Sequence, residues 1–167
     1  MTDKMIFVTQ SVTQTSTTDL EGVGSLRWIG DKCYRWVKNN SGGALAIGEL
    51  VCHDEALSDP ADIFESVKDP TTARLMLLAG IVVADSVADG SYCWVQVLGY
   101  CESVILTNAT NVTVTAGAFI KPVNSANYGT LDAATQPLYR RNLQTLEAYA
   151  THTTPSTAYK KCIVNCV

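Results

Sequence analysis

The sequence predicts an all-β (mainly β) domain: a small β-barrel or β-sandwich with an extended N-terminal arm and one or two short helices. Three observations lead there. Short runs of branched and aromatic residues recur along the chain, divided by turns rich in Gly and Asn. Residues 9–18 read Thr-Gln-Ser-Val-Thr-Gln-Thr-Ser-Thr-Thr, small and polar with no face to bury. Helical character is confined to a turn at 61–67 and a segment at 137–150. At 167 residues the chain has the length of one domain, and surface scaling lets such a domain bury roughly 70% of its extended surface. The reading divides it into a flexible arm over 1–20 and a single β-rich domain over 21–167, with a surface insertion at about 53–74.

Each element has its own signal. Leu26-Arg27-Trp28-Ile29 and Cys33-Tyr34-Arg35-Trp36-Val37-Lys38 flank Gly30-Asp31-Lys32 and read as a hairpin. Asn39-Asn40-Ser41-Gly42-Gly43 ends the second strand, because Asn and Gly accept the positive φ of tight loops. Residues 44–52 are apolar around Gly48 and hold another strand, after which 53–74 turns to Asp, Glu, Ser and Pro. Strand character resumes at 80–84 and, beyond a turn at 85–90, at 91–98. There Cys93, Val95 and Val97 occupy one face and Tyr92, Trp94 and Leu98 the other, so this strand is central or one of its faces meets a partner. Gly99 marks a bulge or bend before the strand continues over 100–106. Asn111-Val112-Thr113-Val114-Thr115 alternates cleanly and returns through 118–123 as a second hairpin. Leu138, Leu143, Leu146 and Tyr149 share one side of a helix over 137–150, Pro155 breaks it, and 158–167 is a closing strand.

Charge and motif narrow the function. With 12 Lys and Arg against 16 Asp and Glu, the formal net charge is −4. Such a surface does not collect phosphates, and the basic clusters are only Arg140-Arg141 and Lys160-Lys161, so no nucleic-acid partner is expected. Only 17% of residues are charged, low for a free monomer and suggestive of assembly. The apolar run Met5-Ile6-Phe7-Val8 is too short for a signal-peptide core, and no stretch approaches the roughly 20 apolar residues of a membrane span. No membrane partner is expected, and the six cysteines read as buried small hydrophobes of a chain folded in a reducing cytoplasm.

No enzyme motif stands out. Cys162-x-x-x-Cys166 places its thiols roughly 13 Å apart on a strand, too far for one metal or a disulfide. Cys52-His53-Asp54-Glu55 groups possible ligands, but consecutive side chains diverge and a strand-to-loop transition explains them. A catalytic triad would have to use His53 or His152, and no nucleophile elbow, phosphate loop or dinucleotide fingerprint accompanies them. Asp85 and Asp89 lack the spacing of a calcium loop and read as turn residues. The reading is therefore not an enzyme, with no catalytic residue, no cofactor and no metal.

One resemblance adds to this. Tyr34-Arg35-Trp36-Val37-Lys38-Asn39-Asn40-Ser41-Gly42-Gly43-Ala44-Leu45-Ala46-Ile47-Gly48-Glu49-Leu50-Val51, followed by Ala79-Gly80-Ile81-Val82-Val83-Ala84 and Asp89-Gly90-Ser91-Tyr92-Cys93-Trp94-Val95-Gln96-Val97-Leu98-Gly99, resembles small head proteins of tailed bacteriophages. These are the decoration, or cement, proteins on the outside of the capsid. The match runs from Tyr34 to Val104; related modules commonly have Gly where this chain has Cys93, and the 53–74 insertion and the C-terminal third lie outside it. The resemblance implies a virion protein that binds the major capsid protein during or after shell expansion, commonly as a homotrimer, made in the host cytoplasm and carried on the capsid's outer surface. Ile6, Phe7 and Val8, as an apolar anchor on the arm, and Tyr92 and Trp94 are the candidate capsid or subunit contacts. The alternative is a receptor- or glycan-binding β module of a phage fibre or tail, using Trp28, Trp36 or Trp94 as platforms. A small hydrolase ranks third.

Overall fold

The structure, a computed structural model, describes residues 11–54, 64–70, 77–108, 113–132, 142–150 and 156–166. Among them the fold is all-β, with ten strands: β1 Leu26–Ile29, β2 Lys32–Asn39, β3 Leu50–His53, β4 Ser66–Lys68, β5 Leu78–Val82, β6 Tyr92–Asn108, β7 Ile120–Val123, β8 Ala126–Leu131, β9 Leu143–Thr145 and β10 Ser156–Asn165. No α-helix is present among the described residues.

The strand pairings form a closed ring. β2 pairs antiparallel with β6, β6 with β5, β5 with β3 and β3 with β4. β4 then returns to β2 in parallel through Lys38↔Ser66 and Asn39↔Val67. Within this ring lies one core, built from Cys33, Val37, Leu45, Val51, Val67, Ala79, Val82, Cys93, Val95 and Val97 among others. A second core takes Cys101, Val104 and Leu106 from the far half of β6, Cys162 and Val164 from β10, Leu143 from β9 and Ile120 from β7. β10 pairs antiparallel with β6 and with β9, while β8 meets β6 in parallel at Leu106↔Gly129 and pairs with β7.

β3 and β5 form the wall between the two cores. Val51, Ala79 and Val82 face the first, and Leu50, Leu78 and Ile81 face the second. Every residue of both strands is buried, which is why they read as continuous apolar runs instead of alternating ones.

β6 spans both halves in 17 residues, and two irregularities let it do so. Gly99 adopts φ +96°, and a Cβ there would lie 2.7 Å from the Asp31 carbonyl oxygen. Further along, Lys160 faces Val104 whereas Cys162 faces Cys101, so β6 carries one extra residue against β10. That bulge moves the inward-facing set from odd positions (Cys93, Val95, Val97, Cys101) to even ones (Val104, Leu106).

Several sequence expectations hold: the 26–38 hairpin, the bend at Gly99, the two buried faces of 92–98 and the C-terminal strand. Others are corrected. Residues 143–145 of the expected 137–150 helix are strand β9, its Leu143 and Thr145 both buried; residues 137–141 lie outside the description. Part of the expected surface insertion is β4, which closes the ring through backbone pairing that its sequence, Ser-Val-Lys, does not advertise. The expected second hairpin is redrawn. Val114 bridges Tyr149, and β7 turns at Asn124-Ser125 to pair with β8.

Gly99→Val should destabilise the protein by roughly 2–4 kcal/mol, from a strained left-handed φ plus a clash with backbone that cannot rotate away. Urea unfolding measures this, and a change below about 1 kcal/mol would show that β6 can straighten at this point.

Candidate interaction surface

The outer face of β2 and β6 carries an aromatic cluster. Trp36 and Trp94 are cross-strand partners with ring centroids 5.3 Å apart and planes tilted by 56°. Tyr92 stacks on Trp36 at 6.2 Å. Both tryptophans are buried, at 0% and 1% exposure, because residues 11–25 cover them. Val12 and Val23 pack on the rings, and Ser16 exchanges backbone hydrogen bonds with Tyr92 at 3.0 and 2.7 Å.

Asp19 fixes this cover. Its carboxylate accepts the Trp36 indole N–H at 2.8 Å and the backbone N–H groups of Gly22 and Val23 at 2.9 and 3.1 Å. Arg27 lies over Trp94 at 5.8 Å and Lys38 over Tyr92 at 5.9 Å, each cation resting on an electron-rich ring face.

This placement bears on residues 11–20 and on Trp94. Residues 11–20, expected to be a flexible appendage, are fastened to the domain by Val12, the Ser16–Tyr92 bridge and the Asp19 carboxylate. Trp94 is engaged inside the chain and has no surface to offer a partner; Tyr92 is half-buried in the same cluster. Ile6, Phe7 and Val8 lie outside the described residues.

What is open is β1. Among the described residues it pairs only with β2, so its other side is a sheet edge. Leu26, Trp28 and Ile29 are 48%, 60% and 44% exposed. Within the strand there is no proline, bulge or lysine of the kind that usually guards an edge, and its one charge, Arg27, is drawn over Trp94. Sequence reading noted Trp28 as a possible sugar platform but missed the strand as an edge, since the residues around it share one aromatic-rich pattern whether or not they are covered.

Beside this edge sits a buried cation. Arg35 is the cross-strand partner of Leu26, and its guanidinium lies 4.6 Å from the centre of the Phe64 ring, which His53 meets edge-on at 4.9 Å. Among the described residues Nε and Nη1 have no hydrogen-bond acceptor, and burial lowers the Arg35 pKa from its usual value. The ring face of Phe64 presents its negative quadrupole to this guanidinium.

The remaining motif residues have structural partners. Asp54 pairs with Lys68 at 3.2 Å and accepts from the Asn40 amide at 2.8 Å, tying the end of β3 to β4 and to the loop after β2. Asp89 accepts the Gly42 N–H at 2.8 Å. None of the six cysteines is in a disulfide, and burial pushes Cys93 and Cys162 up to about 12. No group of three metal-ligating side chains occurs among the described residues. His152 lies outside them, so the histidine pair considered for hydrolysis is not described as a site.

No known family model matches this chain, and no curated protein matches its sequence.

Asp19→Ala should cost about 1–3 kcal/mol, because three hydrogen bonds to one carboxylate are lost and the Trp36 N–H is left without its acceptor. Its signature is local: red-shifted tryptophan emission and faster proteolysis within residues 11–25. An unchanged spectrum and cleavage rate would show that the cover over Trp36 does not depend on this carboxylate.

Proposed function

We propose that this is a structural virion protein that binds the outside of a bacteriophage capsid and stabilises the shell. The observation that carries the reading is the β1 edge, a solvent-facing strand whose Leu26, Trp28 and Ile29 are left uncovered in an otherwise well-packed β domain. Such an edge takes a partner strand through main-chain hydrogen bonds, while its exposed side chains provide apolar contact. The resemblance of 34–51, 79–84 and 89–99 to phage decoration proteins supplies the partner, the major capsid protein, and the homotrimeric assembly. No catalytic step is required. Binding favours whichever shell state presents the complementary strand, and symmetric repetition turns modest single contacts into firm attachment.

The alternative, a glycan- or receptor-binding module, draws less support. Of its three tryptophan platforms, Trp36 and Trp94 are buried and Trp28 alone is accessible.

Co-sedimentation with intact heads of the phage that encodes the chain tests the proposal. The native protein should pellet with heads, and Trp28→Asp should weaken binding by about tenfold or more. The same substitution should leave folding stability within about 0.5 kcal/mol, since the side chain is already solvated. Failure of the native protein to bind heads would reject the capsid role. Equal binding by Trp28→Asp would reject β1 as the contact.

A further inference from the structure

One pair of thiols is set apart by register. Cys101 on β6 and Cys162 on β10 are direct cross-strand partners in an antiparallel ladder. Both side chains point into the second core, with 5% and 0% exposure. None of the other four cysteines faces another cysteine in the strand register. Cys33 faces Trp28 and Leu98, Cys93 faces Val37, and Cys52 faces Lys68 and Leu78. Cys166 follows the end of β10 and donates its backbone N–H to the Val97 carbonyl at 2.7 Å.

Directly opposed residues of an antiparallel pair hold their Cα atoms about 4.5–5.5 Å apart and their Cβ atoms at a similar distance. A disulfide spans Cα separations of about 4.4–6.8 Å and Cβ separations of about 3.5–4.5 Å. The Cα spacing of such a pair falls within the disulfide range, and its side chains would need to close by on the order of 1 Å. The pair also borders the bulge between Lys160 and Cys162, where the ladder is locally irregular and can absorb that shift.

We propose that Cys101 and Cys162 form a cross-strand disulfide when the protein meets an oxidising medium, stapling β10 to β6 across the second core. The oxidant is a low-molecular-weight disulfide such as oxidised glutathione. One cysteine, as thiolate, attacks a glutathione sulfur, forming a mixed disulfide and releasing one glutathione thiolate. The second cysteine, losing its proton to solvent, attacks the protein sulfur of that mixed disulfide. The second glutathione leaves and the Cys101–Cys162 bond is made. The protein loses two hydrogens overall, and oxidised glutathione is reduced to two thiols.

Burial raises the pKa of both thiols, so the closed native state exposes little thiolate and the bridge forms on transient opening of β10 or during folding. Once made, it closes a long loop of chain between β6 and β10. By the chain-entropy relation this should raise the melting temperature by roughly 5–15 °C. The inference stands on strand register and is independent of the capsid reading.

The test uses the full chain in two arms, native protein incubated with excess oxidised glutathione and protein refolded from urea in the same buffer. Non-reducing peptide mapping should show a Cys101–Cys162 linkage in the refolded arm at least, with an intact mass lower by two hydrogens and a higher melting temperature that reductant reverses. Cys101→Ala and Cys162→Ala should each abolish both the linkage and the gain. The proposal is overturned if both arms remain reduced or end as glutathione adducts. A bridge between other cysteines, or a Cys101–Cys162 bridge that leaves the melting temperature unchanged or lower, overturns it equally.

Discussion

β6 must serve two interiors at once, and the rest of the fold is arranged around that demand. A single 17-residue strand contributes Cys93, Val95 and Val97 to one core and Cys101, Val104 and Leu106 to the other. A straight, regular strand of that length would carry one face past both cores in fixed alternation. Here Gly99 bends the backbone at φ +96° and an extra residue between Cys101 and Val104 resets the alternation, so each half meets its own core. The wall strands β3 and β5 complete the arrangement. Their two faces are shared between the cores, which leaves no polar position on either strand except His53 at the end of β3.

The same central strand explains the arm. The first half of β6 is apolar on both faces, and only one face can look into the ring. Tyr92, Trp94 and the neighbouring Trp36 therefore need cover from outside, and residues 11–25 provide it with two valines and the Asp19 carboxylate. That cover is drawn from the same chain. Exposed apolar side chains remain at the sheet's margin, on β1, where Leu26 and Trp28 continue the face of Cys33 and Arg35 beyond the ring.

How legible this was in the sequence depends on where the forces act. The hairpin around Gly30 and the bend at Gly99 are written in local chemistry, since glycine at φ +61° and +96° does what few other residues do. The two-faced burial of 92–98 was legible because both parities are apolar. β4 was not legible. Ser66–Lys68 has no pattern of its own, and its place is set by backbone groups at the end of β2 and on β3. β9 was misread because Leu143, Leu146 and Tyr149 fit a helical stripe as well as a broken strand, and it is the exposure of Leu146, at 44%, that separates the two. The burial of Trp94 and the docking of residues 11–20 were not legible: Val12 and Val23 are isolated apolar residues in polar surroundings, and only the tertiary fold brings them onto the rings. Of the contact residues expected from sequence, Trp94 is buried and Tyr92 half-buried in this cluster, while Ile6, Phe7 and Val8 lie outside the described residues.

Native-state hydrogen exchange along β6 tests the shared-strand arrangement most directly. If one strand couples two cores, the amides of residues 93–98 and of 104–106 should exchange only through global unfolding, with equal free energies and equal response to urea, while the unpaired amides of β1 exchange rapidly. Two plateaus, with the 104–106 amides opening at a lower free energy than 93–98, would contradict it and show the second core to be a separately unfolding unit.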